Sequence, residues 1–132
     1  MREVITLYKN YTPTYFTFIN FYKDVWKVNI FNFFVGYETE EDKHYILEKN
    51  IGHLGTATIL YSTTLQYNFF SKLEILEVKR ENICYRFLLY NTVNGTLDNF
   101  NMVKQLLFNA FLQNFYKEEH EYISVDDDEF LY

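Results

Sequence analysis

Cysteine, proline, glycine and alanine are scarce in this sequence of 132 residues, which contains one cysteine, one proline and four glycines. A single cysteine cannot form an intrachain disulfide, so the disulfide-rich class of small proteins is excluded. Cys84 lies in the apolar run 83–87, where we expect a small buried side chain instead of a reactive thiol. The length fits one domain, large enough to build a hydrophobic core without cross-links.

Long apolar runs are also absent. No stretch approaches the roughly 18 apolar residues of a membrane span, and the longest candidate, residues 15–34, is interrupted by polar side chains. The first residues lack the apolar region and the cleavage site of a secretory signal. We therefore predict a protein without membrane contact that is cytoplasmic, in a bacterial or a host cell.

Aromatic residues are abundant, with 14 phenylalanines and 13 tyrosines. Phe, Tyr, Asn, Ile and Lys all have codons rich in A and T, so this composition indicates an AT-rich genome, such as that of a low-GC bacterium, a virus or a mobile element. Selection of aromatic side chains for binding is the alternative, and composition does not separate the two. In either case the aromatic rings supply a large hydrophobic area for the core.

The first third of the chain predicts a strand, a helix and a second strand. Residues 4–8 alternate loosely and suit a short edge strand. Thr12 and Pro13 have the residue types of an N-cap and a first helical position, and apolar residues recur at helical spacing as far as Trp26. A hairpin that turns at residues 23–24 is the competing interpretation. Residues 28–37, dense in Val, Ile and Phe, predict a strand.

The middle of the chain predicts a second helix followed by three strands. Thr39 is placed to cap this helix, acidic residues follow in its first turn, and Gly52 is expected to end it. The strands are predicted at residues 56–67, 73–79 and 83–90. The short connection at residues 80–82 predicts that the last two strands form an antiparallel hairpin.

The last predicted element is a long amphipathic helix. Thr96 or Asp98 can cap it, and an apolar stripe at spacings of three and four extends to about Tyr116. The sequence therefore predicts an α+β domain over residues 1–117. Its sheet is expected to be mainly antiparallel, with four to five strands and two to three helices, and an acidic tail follows at residues 118–132.

Acidic charge is concentrated in this tail. Residues 118–132 contain seven acidic residues and no Lys or Arg, whereas residues 1–117 hold 11 acids and 12 bases. Such a run is typical of a segment that attracts a basic partner, with the terminal aromatic residues as anchors. A purely solubilising tail is one alternative. In another, the terminal apolar residues 130–132 fold back onto the domain as a last short strand. The candidate partner-binding residues are Glu118, Glu119, Glu121, Asp126, Asp127, Asp128, Glu129, Phe130 and Tyr132.

No motif in the sequence predicts a cofactor, a metal site or catalysis. The histidines His44, His53 and His120 do not have the spacing of metal ligands, and phosphate-binding glycine motifs are missing. An acidic chain with few clustered bases is not expected to bind nucleic acid directly, because phosphate contacts dominate that affinity. We therefore predict no catalytic residues and no enzyme.

Three classes of function remain open. The first is a small acidic inhibitor, such as an immunity protein, an antitoxin or a viral or mobile-element factor, that blocks a basic, nucleic-acid-handling protein. The second is a structural or assembly protein, such as a virion component or an oligomeric scaffold, including a homo-oligomer. The third is a small-molecule-binding domain with an aromatic-lined cavity, in which His53, Tyr61 or Arg86 would be tested first.

Overall fold

The protein is described here from a computed structural model. The described residues are 1–8, 15–54, 58–67, 71–91, 108–109, 111–126 and 129–132. The elements are β1 (Arg2–Tyr8), α1 (Tyr15–Asp24), β2 (Ile30–Tyr37), α2 (Glu40–Leu54), β3 (Thr58–Tyr67), β4 (Ser71–Arg80), β5 (Ile83–Asn91) and β6 (Glu121–Ser124). Residues 108–109 and 111–115 are helical as well, and we call them the C-terminal helix.

The strands form one six-stranded mixed sheet in the order β3-β4-β5-β2-β1-β6. The pairs β5–β2, β2–β1 and β1–β6 are parallel, and the pairs β3–β4 and β4–β5 are antiparallel. The α+β class is confirmed, but the prediction of a mainly antiparallel sheet of four to five strands is wrong. The predicted hairpin is local, whereas the parallel pairings depend on long crossover connections that no short sequence window contains.

The position of β1 in the sheet also differs from the prediction. Residues of β1 pair with β2 on one side and with β6 on the other, so β1 is an interior strand and not an edge. Its central residues Val4, Ile5 and Thr6 are all buried, as are the core residues of β2. Strands that are covered on both faces are typical of the parallel part of a sheet.

Several local predictions are confirmed. Residues 15–24 form α1, so the helix prevails over the hairpin. The hydroxyl of Thr39 accepts a hydrogen bond from the N–H of Asp42 at 3.1 Å, the bond of a helix N-cap. Strands β4 and β5 form the expected antiparallel hairpin, in which Glu81 takes a positive φ of 58° at the turn. The Thr12–Pro13 helix start lies outside the described residues.

Two helix predictions need correction or remain open. Helix α2 continues through Gly52 to Leu54, so Gly52 does not end it; a glycine inside a helix costs only about 1 kcal/mol, which packing can offset. The long C-terminal helix is not shown, because most of residues 96–116 lie outside the described ranges and the part that is described is short. In those described ranges, no helix has the length and apolarity that a membrane crossing needs.

Both faces of the sheet are covered. Alternate residues of each strand point to opposite faces, and one face packs against α1 and α2. Phe18 of α1 lies 6.4 Å, centroid to centroid, from both Phe31 and Phe33. The buried side chains on this face include Val4, Tyr22, Phe31, Phe33, Val35, Ile46, Val78, Tyr85, Phe87 and Leu89.

The opposite face packs against the C-terminal helix. Phe111 is fully buried and its ring lies 6.3 Å from that of Phe34 in β2. The remaining buried side chains of this smaller cluster are Ile5, Ile75, Leu88 and Tyr90. Near the amino ends of the parallel strands, polar side chains replace apolar ones on this face, and they connect to the last segment of the chain.

Candidate functional site

The acidic segment after Lys117 is part of the sheet. Residues 121–124 form β6, which lies beside β1 in parallel register from Arg2↔Glu121 to Ile5↔Ser124. We use the term acidic edge for the exposed acidic residues on and beside this strand, which are Glu118, Glu119, Glu121, Asp126 and Glu129. The backbone pairing places Glu121 at the border of the sheet, and the other four residues flank β6 in the sequence.

One ion pair of the acidic edge is exposed to solvent. Glu121 forms an ion pair with Arg2, whose Nε lies 3.1 Å from Oε2 of the glutamate. Both side chains are largely exposed, so this pair contributes at most about 1 kcal/mol. Asp127 and Asp128 lie outside the described residues.

The two predicted aromatic anchors have different surroundings. The ring of Phe130 packs within the domain, 5.2 Å from that of Phe21 and 6.3 Å from that of Phe18. Tyr132 is 99% exposed, although its ring lies 5.1 Å from that of Phe21. Phe130 thus holds the last residues against α1, whereas Tyr132 is accessible.

Tyr22 of α1 and Trp26, which follows this helix, donate hydrogen bonds to the backbone of the last segment, residues 129–132. The hydroxyl of Tyr22 donates a 2.6 Å hydrogen bond to the carbonyl of Glu129, and Nε1 of Trp26 donates one of 2.6 Å to the carbonyl of Leu131. Val125, between these residues and β6, is buried and donates its N–H to the carbonyl of Ile5. The segment is therefore attached at several points of its length.

A buried polar cluster lies behind the acidic edge, on the sheet face covered by the C-terminal helix. Glu3 is 1% exposed, and its Oε1 accepts a 3.0 Å hydrogen bond from Nδ2 of Asn32, itself fully buried. Nη1 of Arg86 donates a 2.6 Å hydrogen bond to Oδ1 of Asn32 and lies 3.4 Å from the same Glu3 oxygen. Three adjacent strands, β1, β2 and β5, are joined in this way.

Arg86 is held on its other sides as well. Its Nε lies 3.3 Å from Oε2 of Glu77, the residue directly opposite on β4. Its guanidinium carbon lies 4.5 Å from the centre of the Phe115 ring, an arrangement typical of a cation–π contact. A buried charge without partners is very costly, and these contacts supply Arg86 with compensating groups.

His120 connects this cluster to the acidic edge. Its Nδ1 lies 2.7 Å from Oε2 of Glu3. Beyond it, the hydroxyl of Tyr122 accepts a hydrogen bond of 2.8 Å from the N–H of Lys117. The cluster therefore fixes the start of β6, and with it the orientation of the neighbouring carboxylates.

Sequence reasoning did not find this cluster. Its only local signal is a polar residue within an apolar strand, as for Asn32 between Phe31 and Phe33 or Arg86 between Tyr85 and Phe87. Such residues mark a buried polar position but do not identify their partners, which come from distant strands. Arg86 was predicted as a ligand-binding candidate, and here its contacts are with Glu77, Asn32, Glu3 and Phe115.

Of the other candidate residues, the structure describes the side chains of His44 and Cys84. His44 is exposed on α2, and the side chains of His53 and Tyr61 lie outside the described part. Burial raises the pKa of the Cys84 thiol, with nearby Glu77 adding to the effect, which opposes thiolate chemistry. In the described ranges, no three His, Cys, Asp or Glu side chains are arranged to hold a metal ion.

One surface pocket of about 190 Å³ lies between α1 and the β4–β5 turn. Its lining combines Lys23 and Arg80 with Glu81, over a floor that includes Tyr85. Its lining therefore carries both signs of charge and does not indicate a class of ligand.

Comparisons with models of protein families, with curated proteins and with solved structures found no match.

Proposed function

We propose that this protein binds a basic, nucleic-acid-handling protein through the acidic edge and blocks it. The observation that supports this proposal is that the exposed carboxylates lie on and beside β6, whose backbone is paired with β1. Carboxylates arrayed against a cationic surface imitate phosphate groups, attract the partner over long distances and accelerate association. An immunity protein, an antitoxin or a viral or mobile-element factor would act in this way.

Preorganisation strengthens the electrostatic case. Glu118 and Glu119 lie in a turn that the N–H of His120 closes onto the carbonyl of Lys117 at 3.1 Å. Glu129 is held by the bond from Tyr22 to its carbonyl. Because the backbone is already ordered, little conformational entropy is lost when a partner binds, and more of the electrostatic attraction appears as affinity.

Removal of the acidic segment is not a clean test of this function. A chain that ends at Lys117 loses β6 and with it the cover of β1 and of the Phe18–Phe21 region, so a loss of binding could result from unfolding. Substitution of single side chains retains the backbone. We therefore choose three exposed glutamates of the acidic edge: Glu118→Gln, Glu119→Gln and Glu129→Gln combined in one variant.

The matched control removes the same charge elsewhere. Glu38, Glu41 and Glu48 are also exposed, but they lie in or beside α2. The variant Glu38→Gln, Glu41→Gln, Glu48→Gln therefore has the same net charge as the first triple variant. Each protein is used as bait in native cell extract at low and high salt, and the captured protein is purified to measure its affinity and the inhibition of its activity.

The proposal predicts capture of a basic protein by the wild type and by the α2 control. The acidic-edge variant should bind it at least about tenfold more weakly, and salt should weaken the wild-type complex because exposed charges are screened. Equal affinity of both triple variants, or binding that is insensitive to salt, would overturn the proposal. Capture of a partner whose activity is unchanged would show binding without inhibition, and the blocking function would be wrong.

A further inference from the structure

Strand β6 has a hydrogen-bonding side that its neighbour β1 does not use. The N–H of Glu121 bonds to the carbonyl of Met1 at 2.9 Å, and that of Val125 bonds to the carbonyl of Ile5 at 3.1 Å. Alternate residues of a strand direct their backbone groups to opposite sides. The N–H and C=O groups of Tyr122 and Ser124 therefore point away from β1.

These outward groups have no strand partner among the described residues. β6 is the last strand in the sheet order on this side, and its described pairings are all with β1. Unpaired strand edges are ready templates for another extended segment, and proteins restrict their use with short strands and charged side chains. β6 has only four residues and lies within the acidic edge.

The surrounding charge selects among the segments that could pair here. A second copy of this chain that paired through β6 would bring a second acidic edge beside the first, and the like charges would oppose pairing. A segment rich in Lys or Arg would meet complementary charge along the same border. The edge therefore disfavours self-association and favours a basic strand.

We infer that the basic partner contributes an extended segment, with alternating cationic residues, that pairs with the outer side of β6 as a seventh strand. This inference rests on the proposed function and specifies how the partner is held: charge attracts the segment, and backbone bonds to Tyr122 and Ser124 align it. Strand addition of this kind gives affinity through main-chain hydrogen bonds and specificity through alternate side chains.

The test uses the full chain and a synthetic peptide of alternating lysine and valine, about as long as an average strand. A control peptide has the same side chains but carries an N-methyl group on every residue, which removes the donors along both edges. The protein variants are Ser124→Pro, which removes the outward N–H, and Ser124→Ala, which retains it. Binding is followed by calorimetry and by the exchange rates of the Tyr122 and Ser124 amides.

The inference predicts that the lysine–valine peptide binds and slows exchange of both amides. N-methylation or Ser124→Pro should weaken binding about tenfold, the effect of losing one or two hydrogen bonds, whereas Ser124→Ala should change it less than about twofold. The thermal midpoint of Ser124→Pro, measured without peptide, establishes that the variant is folded.

Two outcomes would overturn the inference, and they differ in what they imply for the proposed function. If both peptides bind equally and Ser124→Pro has no effect, while the acidic-edge triple variant loses affinity, charge alone attracts the ligand. In that case the proposed function is supported and strand addition is wrong. If neither peptide binds at low salt, or the acidic-edge variant binds as well as the wild type, both are wrong.

Discussion

The Nδ1 atom of His120 lies 2.7 Å from Oε2 of Glu3, although 117 positions separate the two residues in the chain. Glu3 is on β1, and His120 immediately precedes β6. When the imidazole is protonated this contact is an ion pair, and when the neutral ring carries its proton on Nδ1 it is a hydrogen bond. In both cases it attaches the start of β6 to the buried polar cluster. The position of the acidic edge thus depends on a carboxylate near the other end of the chain.

Loss of the Glu3 charge should destabilise the fold. In Glu3→Gln the Arg86 guanidinium, largely buried, keeps Glu77 but loses the second carboxylate. Breaking a buried ion pair costs about 3 kcal/mol, and urea denaturation should show a decrease of this size in the free energy of unfolding. Glu119→Gln, at an exposed site, should change it by less than about 0.5 kcal/mol. Similar values for the two variants would show that the Glu3 carboxylate does not stabilise the cluster.

The direction of the backbone groups in β6 predicts unequal effects of proline at neighbouring positions. Ile123 lies between Glu121 and Val125 in the strand alternation, so its N–H faces β1, whereas that of Ser124 faces outward. Ile123→Pro should cost about 1 to 3 kcal/mol through a lost ladder bond. Ser124→Pro should cost clearly less, because proline is tolerated where the N–H of an edge strand faces solvent. Equal losses in urea denaturation would contradict this register.

The attachment of the last residues to α1 can be weakened one hydrogen bond at a time. Tyr22→Phe removes the donor to the Glu129 carbonyl, and Trp26→Phe removes the donor to the Leu131 carbonyl. Each bond contributes about 1 kcal/mol, so the amides of residues 129–132 should exchange several times faster in each variant. Tyr116→Phe, at an exposed tyrosine, is the control and should leave their exchange unchanged. Unaltered exchange in both test variants would mean that the Phe130 contacts alone hold the segment.

Stability should fall at alkaline pH because of a buried tyrosine. Burial raises the pKa of Tyr90 from its ordinary value of 10.0 to about 12. The folded state therefore favours the neutral phenol, and this preference adds to the free energy of unfolding. The added stability is fully present below pH 10 and is lost as the pH rises from about 10 to about 12. The difference corresponds to about 3 kcal/mol.

Urea denaturation across this pH range measures the effect, with Tyr90→Phe as the control. The variant should lose less stability than the wild type between pH 10 and 12. Burial also raises the pKa of Tyr22 and of Tyr85, so part of the decline should remain in Tyr90→Phe. Identical pH profiles for the two proteins would show that Tyr90 ionises without unfolding cost.

The sequence by itself determined the local structure. The spacing of apolar residues identified α1, Thr39 marked the start of α2, and the short polar connection at residues 80–82 predicted the β4–β5 hairpin. Each of these depends on interactions between residues close in the chain, such as the bond from the Asp42 N–H to Thr39. The concentration of acidic residues after Lys117 was equally evident from composition.

Only the tertiary structure decided the strand order, the parallel pairings and the surroundings of the acidic residues. Glu3, Asn32 and Arg86 come from three strands, and nothing local in their sequences indicates that β1, β2 and β5 are adjacent. The same holds for β6, whose four residues are too few for a reliable pattern and become a strand by pairing with β1. Local propensities act over a few residues, whereas these contacts form only when long connections bring distant segments together, so their partners cannot be identified from the sequence alone.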